Sequence, residues 1–457
     1  MNNTIHVEKQ QQAIHLQSRI DSFFENFTIG TLLNRTGIRK VRGVSPVQLL
    51  KAIFSLPFEG NSFFRSFVEG NEQTYRKDCV YSLLRNPHYN WRRLLLLLAT
   101  RIVSFFDLLT DDPQCKALVI GDSIYDRSHS RFVELLAQVY DHSDHRFIKG
   151  FKMLTLGWTD GTSFLPLDFA MLSSRKQRNR INDVTKEMDK RSCGAIRRKE
   201  ALSKMTELLE PMVKRALASG VDASCILMDS WFAFPSVIES LHKHRPVICM
   251  LKDLPTLTYC HQNVFLRLKD LYRRVRKKPG KAAIIASVTV TLKSGLPAKI
   301  VFVRNRHKRG WLALLSTDIE MSAEEIVQTY GKRWDIEVFF KVSKQYLKLG
   351  KEMQMRDYDG LISHTTIVMI RYLFLIFEQR LHVDHRSLGS LFHACIDEVK
   401  DLSFLESLQR ILVLAIDTVR SSGEFTERVI LKIIDTVMGV AIEMFNPGNG
   451  NGSISTA

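Results

Sequence analysis

Ala117-Leu118-Val119-Ile120-Gly121-Asp122-Ser123 reads as a short strand that ends on an aspartate. Four apolar residues in a row fit a strand covered on both faces. Cys225-Ile226-Leu227-Met228-Asp229-Ser230 repeats the pattern further along the chain. In an open α/β sheet, ligands bind beyond the carboxyl ends of the strands, so an aspartate there is presented to a crevice. Aspartate after a strand also often caps the next turn, and for one such motif capping is the better reading. Two in one chain leave the readings level.

The stretches around these motifs give the architecture. Phe151 to Trp158 and Phe164 to Leu172 are two further apolar runs, separated by the turn signal Asp160-Gly161. A long polar segment ends in an amphipathic helix, Lys199 to Ser219, ahead of the second aspartate motif. A helix around Ser236 to His242 and a strand from Pro246 to Leu251 come after it. The order β-β-β-α-β-α-β is that of an RNase H-like mixed sheet, a step made by fold analogy. Residues 252–318 are β-rich at Ile284 to Leu292, Ala298 to Val303 and Trp311 to Leu315, and read as a small β-insertion. The expected class is therefore α/β: an RNase H-like core with a β-rich insertion over residues 113–385, flanked by helical regions at 1–112 and 386–446.

In the first region, Ser45-Pro46-Val47-Gln48 combines an N-cap serine, a first-turn proline and a capping-box glutamine. Further helices are expected over Asn61 to Val68 and Lys77 to Arg85. Several short helices with basic ends suit a module that binds DNA ends, although a helical dimerisation domain would look much the same. Amphipathic runs at Leu405 to Val419 and Phe425 to Ile442 define the second helical region, and the Gly/Asn/Ser-rich tail 447–457 reads as disordered.

Composition narrows the partners. The chain has 457 residues, 45% of them hydrophobic and 25% charged, with a formal net charge of +17. Such a surplus is usually held against a polyanion, most commonly nucleic acid, with a ribosome or membrane surface as the blander option. Seven cysteines without a CxxC pair read as free thiols in a reducing compartment. The N-terminus lacks a signal-peptide core. Leu94 to Phe106 and Thr366 to Phe377 are apolar but short for a membrane span, and carry Arg101 and Arg371. A soluble, cytoplasmic, nucleoid-associated protein without a membrane partner is expected.

A third element carries more weight. Ser322-Ala323-Glu324-Glu325 is a capping box that opens a long helix containing Tyr330, Arg333, Glu337 and Lys344. At about 100° per residue these four share an arc of about 60°. Ile336, Val338, Phe339, Phe340 and Val342 occupy the other faces, so the helix is expected to be half buried, with its polar stripe against something anionic. A solvated stripe braced by an Arg333–Glu337 pair is the plainer alternative.

Tyr330-x2-Arg333-x3-Glu337-x6-Lys344 resembles the YREK signature of the DDE insertion-sequence transposases named for insertion sequence number four. The resemblance takes in Gly121-Asp122-Ser123, Met228-Asp229-Ser230 and Leu315-Ser316-Thr317-Asp318, and spans most of residues 116–345. It implies a transposase that cuts double-stranded DNA at transposon terminal repeats and joins the freed ends to target DNA, acting as a homodimer on DNA. It further implies catalytic carboxylates Asp122, Asp229 and Glu337 holding two Mg²⁺ ions (or Mn²⁺), with Asp122 bridging them. Such hard oxygen ligands suit two-metal phosphodiester cleavage. Tyr330, Arg333 and Lys344 would hold flanking phosphates. Trp311, in the insertion, is the candidate to support a displaced base, though a core tryptophan is the blander reading.

Three basic tracts lie in or beside this region: Arg175 to Lys199, Arg267 to Lys278 and Arg304 to Arg309. At least two are expected to contact DNA phosphates. The Asp141 to His145 histidines have no matching partner set, and a zinc site is not expected there. A metal-dependent nuclease without strand transfer and a DNA-binding relic of the fold are the alternatives. A two-carboxylate glycosidase fits poorly with the basic charge and the Tyr/Arg/Lys stripe.

Overall fold

The computed structural model describes residues 19–383, except 41, 59–62, 64–65, 68–74, 110–115, 142–144, 186, 281 and 306–309. All of these fall in one compact unit, Met1–Val383. The second unit, Asp384–Ala457, lies outside the described residues, and with it the expected C-terminal helices and tail. The expected helix at Asn61 to Val68 also falls mostly outside them.

Eleven strands join in one mixed sheet. They are β1 (Ala117–Asp126), β2 (Ala137–Asp141), β3 (Arg146–Thr159), β4 (Phe164–Leu172), β5 (Cys225–Met228), β6 (Val247–Leu251), β7 (Thr258–His261), β8 (Val264–Arg267), β9 (Ile284–Thr291), β10 (Pro297–Arg304) and β11 (Trp311–Ser316). β1 is paired antiparallel along its whole length with β3, while β2 and β4 pair with successive parts of β3. β5 lies parallel to β1, and β6 parallel to β5. This is the RNase H-like arrangement, an antiparallel meander leading into parallel strands. Three strands, β2, β7 and β8, were not among the expected elements; each has five residues or fewer and lacks a run of four apolar residues.

The β-rich segment does not stand apart. β11 pairs antiparallel with β6, so β10, β9, β7 and β8 extend the same sheet outward. The expected helix from Lys199 to Ser219 is two, α6 (Cys193–Ala201) and α7 (Met205–Ala218), each with its own start.

The other helices are α1 (19–26), α2 (Ile29–Arg35), α3 (Pro46–Ser55), α4 (Lys77–Leu84), α5 (Trp91–Leu108), α8 (Pro235–His242), α9 (Leu268–Arg274), α10 (Ala323–Gly331), α11 (Asp335–Gln345) and α12 (Tyr358–Val383). Ser45 stands at the N-cap of α3 with Pro46 behind it, but its side chain makes no capping bond. α5 takes the leucine run into the core, burying Leu94, Leu95, Leu96 and Leu98. Phe23, Phe27, Phe54, Phe374 and Phe377 form one aromatic cluster, so α1 and α3 share a core with α12. Each such ring contributes roughly 1.5–3 kcal/mol by its burial.

α12 has 26 residues and is long and apolar enough to cross a membrane, so the length argument from Thr366 to Phe377 does not hold. Its most apolar window is 89% buried inside the protein, as in a core helix. Arg371 explains why a charge sits there. Its guanidinium grips Glu352 through both terminal nitrogens, at 2.8 and 2.9 Å. It also donates to the carbonyls of Ile53, Phe54 and Leu347. Two of these belong to the last turn of α3, whose carbonyls lack helical partners. His364 bonds the same carboxylate at 2.8 Å.

Breaking this pair from one side leaves a buried charge. Arg371→Met is expected to cost roughly 3–5 kcal/mol, measured by urea unfolding; a cost below about 1 kcal/mol, the level of an ordinary net hydrogen bond, would refute the assignment. Although burial opposes its charge, Arg371 and His364 bring the Glu352 pKa down to about 2. A depressed carboxylate stabilises above its unfolded pKa of about 4.3. In wild type that contribution should fade as pH falls from there towards about 2, and the fading should be absent in Glu352→Gln.

Candidate nucleic-acid cleavage site

Asp122 sits in β1 and Asp229 follows the last residue of β5, on neighbouring parallel strands. The register pairs Ile120 with Met228, so Asp229 lies one residue beyond that row and Asp122 two. Both therefore stand at the carboxyl end of the parallel strands, where such sheets present ligand sites. Asp229 is fixed by the Trp231 N–H, which donates to its Oδ1 at 2.7 Å. Burial raises the Asp229 pKa, and the Asp122 charge adds to this, against the pull of Arg333 and Lys252. The two carboxylates are thus in electrostatic contact.

The helical run that brings Glu337 is not one uniform helix. Ser322 and Glu325 do form the reciprocal capping box at the start of α10. Lys332–Trp334 then tightens into a 3₁₀ turn before α11 begins. The backbone stays in the right-handed helical region throughout, so the polar stripe continues across the turn. Gly121 lets α11 approach β1. A Cβ there would stand 2.9 Å from Cδ1 of the buried Ile336. On the same strand face as Gly121, Ser123 accepts a hydrogen bond from Lys344 Nζ at 2.7 Å. Strand alternation turns Asp122 to the other face, where Lys152 Nζ lies 3.3 Å from its Oδ2.

Around this contact the stripe residues meet the carboxylates. Arg333 pairs with Glu337 at 3.1 Å. Burial works against the Arg333 charge, but Tyr330, Glu337 and Asp229 outweigh it and raise its pKa. Burial lowers the Lys344 pKa, resisted by Asp141, Glu337, Asp126 and Asp122. The Tyr330 hydroxyl is buried beside Arg333, and its pKa is pushed up by that burial. Asp122, Asp229, Glu337, Tyr330, Arg333 and Lys344 thus share one electrostatic neighbourhood. Trp311 is different: its ring stacks on Tyr272 at 4.8 Å and meets Phe302 edge-on at 5.1 Å.

Three neighbours of the site were not expected from sequence. Lys152 becomes a partner only through strand pairing, since its register partner is Ile124. Trp231 follows Asp229 closely and is 44% exposed, with Lys252 Nζ 4.5 Å from its ring centroid. An exposed aromatic within the Asp229 turn was a signal available in the sequence.

Among the described residues, no three His, Cys, Asp or Glu side chains converge on one point. Glu337 pairs with Arg333 and Asp122 with Lys152. The donor chemistry nevertheless fits a hard divalent cation at Asp122 and Asp229. Burial, and to a lesser degree the Asp122 charge, disfavour the ionised form of Asp229, and a cation there would offset both.

Comparison with known proteins supports this chemistry. Residues 77–255, which include both aspartates, match the family model described as "DDE superfamily endonuclease". Residues 185–376, which include Asp229 and the whole stripe, match the model described as "Archaeal putative transposase ISC1217". The two matches support a DDE-type transposase, an enzyme that cleaves nucleic acid. No curated protein matches the chain. The solved C-terminal lobe of a budding yeast Argonaute aligns at 11% identity over 77% of this chain, with a TM-score of 0.21. The aligned part spans 65% of that structure, and the superposition is too loose to bear on the fold.

A proton and a metal ion compete for Asp229. Mn²⁺ affinity, followed by electron paramagnetic resonance, should begin to fall at a pH above the ordinary aspartate value of about 3.9. Asp229→Asn should remove most of that binding and its pH dependence. Unchanged affinity in that variant would exclude Asp229 as a ligand.

Proposed function

We propose that this protein is a cut-and-paste DNA transposase of the YREK-bearing insertion-sequence type. It nicks double-stranded DNA at transposon terminal repeats and transfers the freed 3′ ends into target DNA. The observation that carries this reading is the meeting of Asp122 and Asp229, at the ends of parallel strands, with the Arg333, Glu337 and Lys344 stripe. Asp122, Asp229 and Glu337 would hold two Mg²⁺ ions, Mn²⁺ being the alternative. When bound, the ions would supply a nucleophilic oxygen and steady the leaving oxygen.

The remaining roles belong to the chain itself. Arg333, largely buried yet held charged by its acidic neighbours, would fix one phosphate flanking the cut by paired N–H donors. Lys344, steadied by Ser123, would hold another as a point charge. Tyr330 would donate its hydroxyl, which burial keeps protonated. Trp311, held rigid by Tyr272 and Phe302, would support a displaced base. Residues 1–112 are assigned to binding of transposon ends. A homodimer on DNA, in the cytoplasm at the nucleoid, completes the proposal.

The test is cleavage of a duplex ending in the element's terminal repeat, with and without Mg²⁺ or Mn²⁺. Glu337→Gln runs alongside, with a gel shift in parallel. Nicking should require metal and fall at least 10³-fold in the variant, on the order of losing a main transition-state group, while binding persists. Nicking without joining would reduce the protein to a nuclease. Binding without nicking by wild type would make it an inactive relic of the fold.

A further inference from the structure

A cavity of about 490 Å³ opens at the outer part of the sheet, far from the carboxylates in strand order. Arg274 and Arg276 line it, with His261, Gln262, Ser287 and Val288. Its polar lining offers guanidinium, imidazole, amide and hydroxyl groups and no carboxylate. Both arginines are exposed, and among the described residues neither has an acidic partner. Neighbouring charges do have partners: Arg273 pairs with Asp270 and Lys278 with Glu324. A cavity with two unpaired guanidinium groups, further N–H and O–H donors and no carboxylate suits an anion with several oxygens, such as a backbone phosphate.

The sheet relates this cavity to the cleavage site. One row of paired residues runs Ile120, Met228, Cys249, Leu315, Ile300, Val288. Its inner end lies one residue before Asp229 and two before Asp122, and its outer end lines the cavity. From β5 to β9 is four strand spacings. At about 4.8 Å each this is about 19 Å along the sheet. Twist makes the straight path shorter. A duplex rising about 3.4 Å per base pair covers that distance in at most about six base pairs.

We propose that the Arg274–Arg276 cavity is a second phosphodiester-binding site, which grips the DNA backbone about five to six base pairs from the cut. This rests on the DNA-cleaving function proposed above and adds a fixed spacing to it. The site would hold the duplex in register without reading its sequence.

The experiment measures duplex affinity by fluorescence anisotropy in Ca²⁺, which suppresses cutting, at several salt concentrations. Terminal-repeat duplexes carry flanks of increasing length on either side of the cut. Wild type should gain affinity in a step once a flank exceeds about six base pairs. Arg274→Ala/Arg276→Ala should lose that step and bind the shorter duplexes as wild type does. Loss of two contacts should also lower the salt slope by about two, so that affinity falls about tenfold less between about 50 and 200 mM salt. Arg274→Lys/Arg276→Lys should keep most of the slope. Both arginines are exposed, so the folding transition should not move, and urea unfolding checks this. Duplex binding by wild type with no length step, or with the step intact in the alanine variant, overturns the second site and leaves the cleavage reading standing. Absence of duplex binding by wild type at any length overturns both.

Discussion

The close approach of α11 to β1 at Gly121 is the constraint on which the site depends. The carboxylates come from two strands and a helix far apart in sequence, so their neighbourhood exists only while that helix is docked. A glycine at the contact lets Ile336 lie against the strand backbone. Ties at both ends then fix the helix along its length. Asp335 accepts a bond from Thr159 at 2.8 Å at one end, and Lys344 bonds Ser123 at the other. Beyond α11, the Leu347 carbonyl is held by Arg371 from α12. Asp335 is buried enough for its pKa to rise to about 6, yet the Thr159 bond keeps it engaged. Such a layout holds Glu337 near the aspartates without making the three meet, which three uncompensated carboxylates would resist.

Buried ion pairs fasten the helical layers to the sheet. Asp168 on β4 receives Arg215 from α7 at 2.7 Å and Arg92 from α5 at 3.5 Å. Glu134 and Asp359 share Arg198 from α6, each at 2.8 Å. Because desolvating such charges costs several kcal/mol, the pairs contribute more to a unique arrangement than to net stability. They join α5 and α7 to β4, and α6 to α12 and to the loop that precedes β2. The aromatic cluster of α1, α3 and α12 does the same for the N-terminal helices. Packing therefore runs across residue 112, where the sequence changes texture from helix to strand.

What was legible in the sequence follows from which forces are local. Four apolar residues before each aspartate marked β1 and β5, because strands buried on both faces cannot hide their composition. The Ser322–Glu325 box marked the start of α10, because both of its hydrogen bonds lie within one turn. The stripe of Tyr330, Arg333, Glu337 and Lys344 survived the 3₁₀ turn because the backbone never leaves the helical region. What failed depended on distant partners. Ser363, His364 and Thr365 made the start of α12 look polar, yet all three are buried, with His364 on Glu352 and Ser363 on the Gly360 carbonyl. The helix is consequently longer than its apolar run. Lys152 and Asp122 meet through strand register, which no local pattern encodes. The union of the β-rich segment with the main sheet rests on the β6–β11 pairing in the same way.

The basic surplus must also be divided before it can be read. A tract such as Arg175 to Lys199 looks like one DNA-binding surface, but Arg197 and Arg198 are buried within it and Arg180 pairs with Asp183. Arg92, Arg371 and Arg380 likewise point inward to carboxylates. Most of these arginines are bound to specific acids, and their charge does not reach a ligand at long range. The formal charge of +17 is then expressed by the residues left over. Arg274 and Arg276 are of that kind: exposed, without an acid among the described residues, and lining a cavity together with Val288, the outer end of the row that leads to Asp229. Net charge predicts a polyanion, whereas the path of that polyanion follows from which cations the fold has not already neutralised.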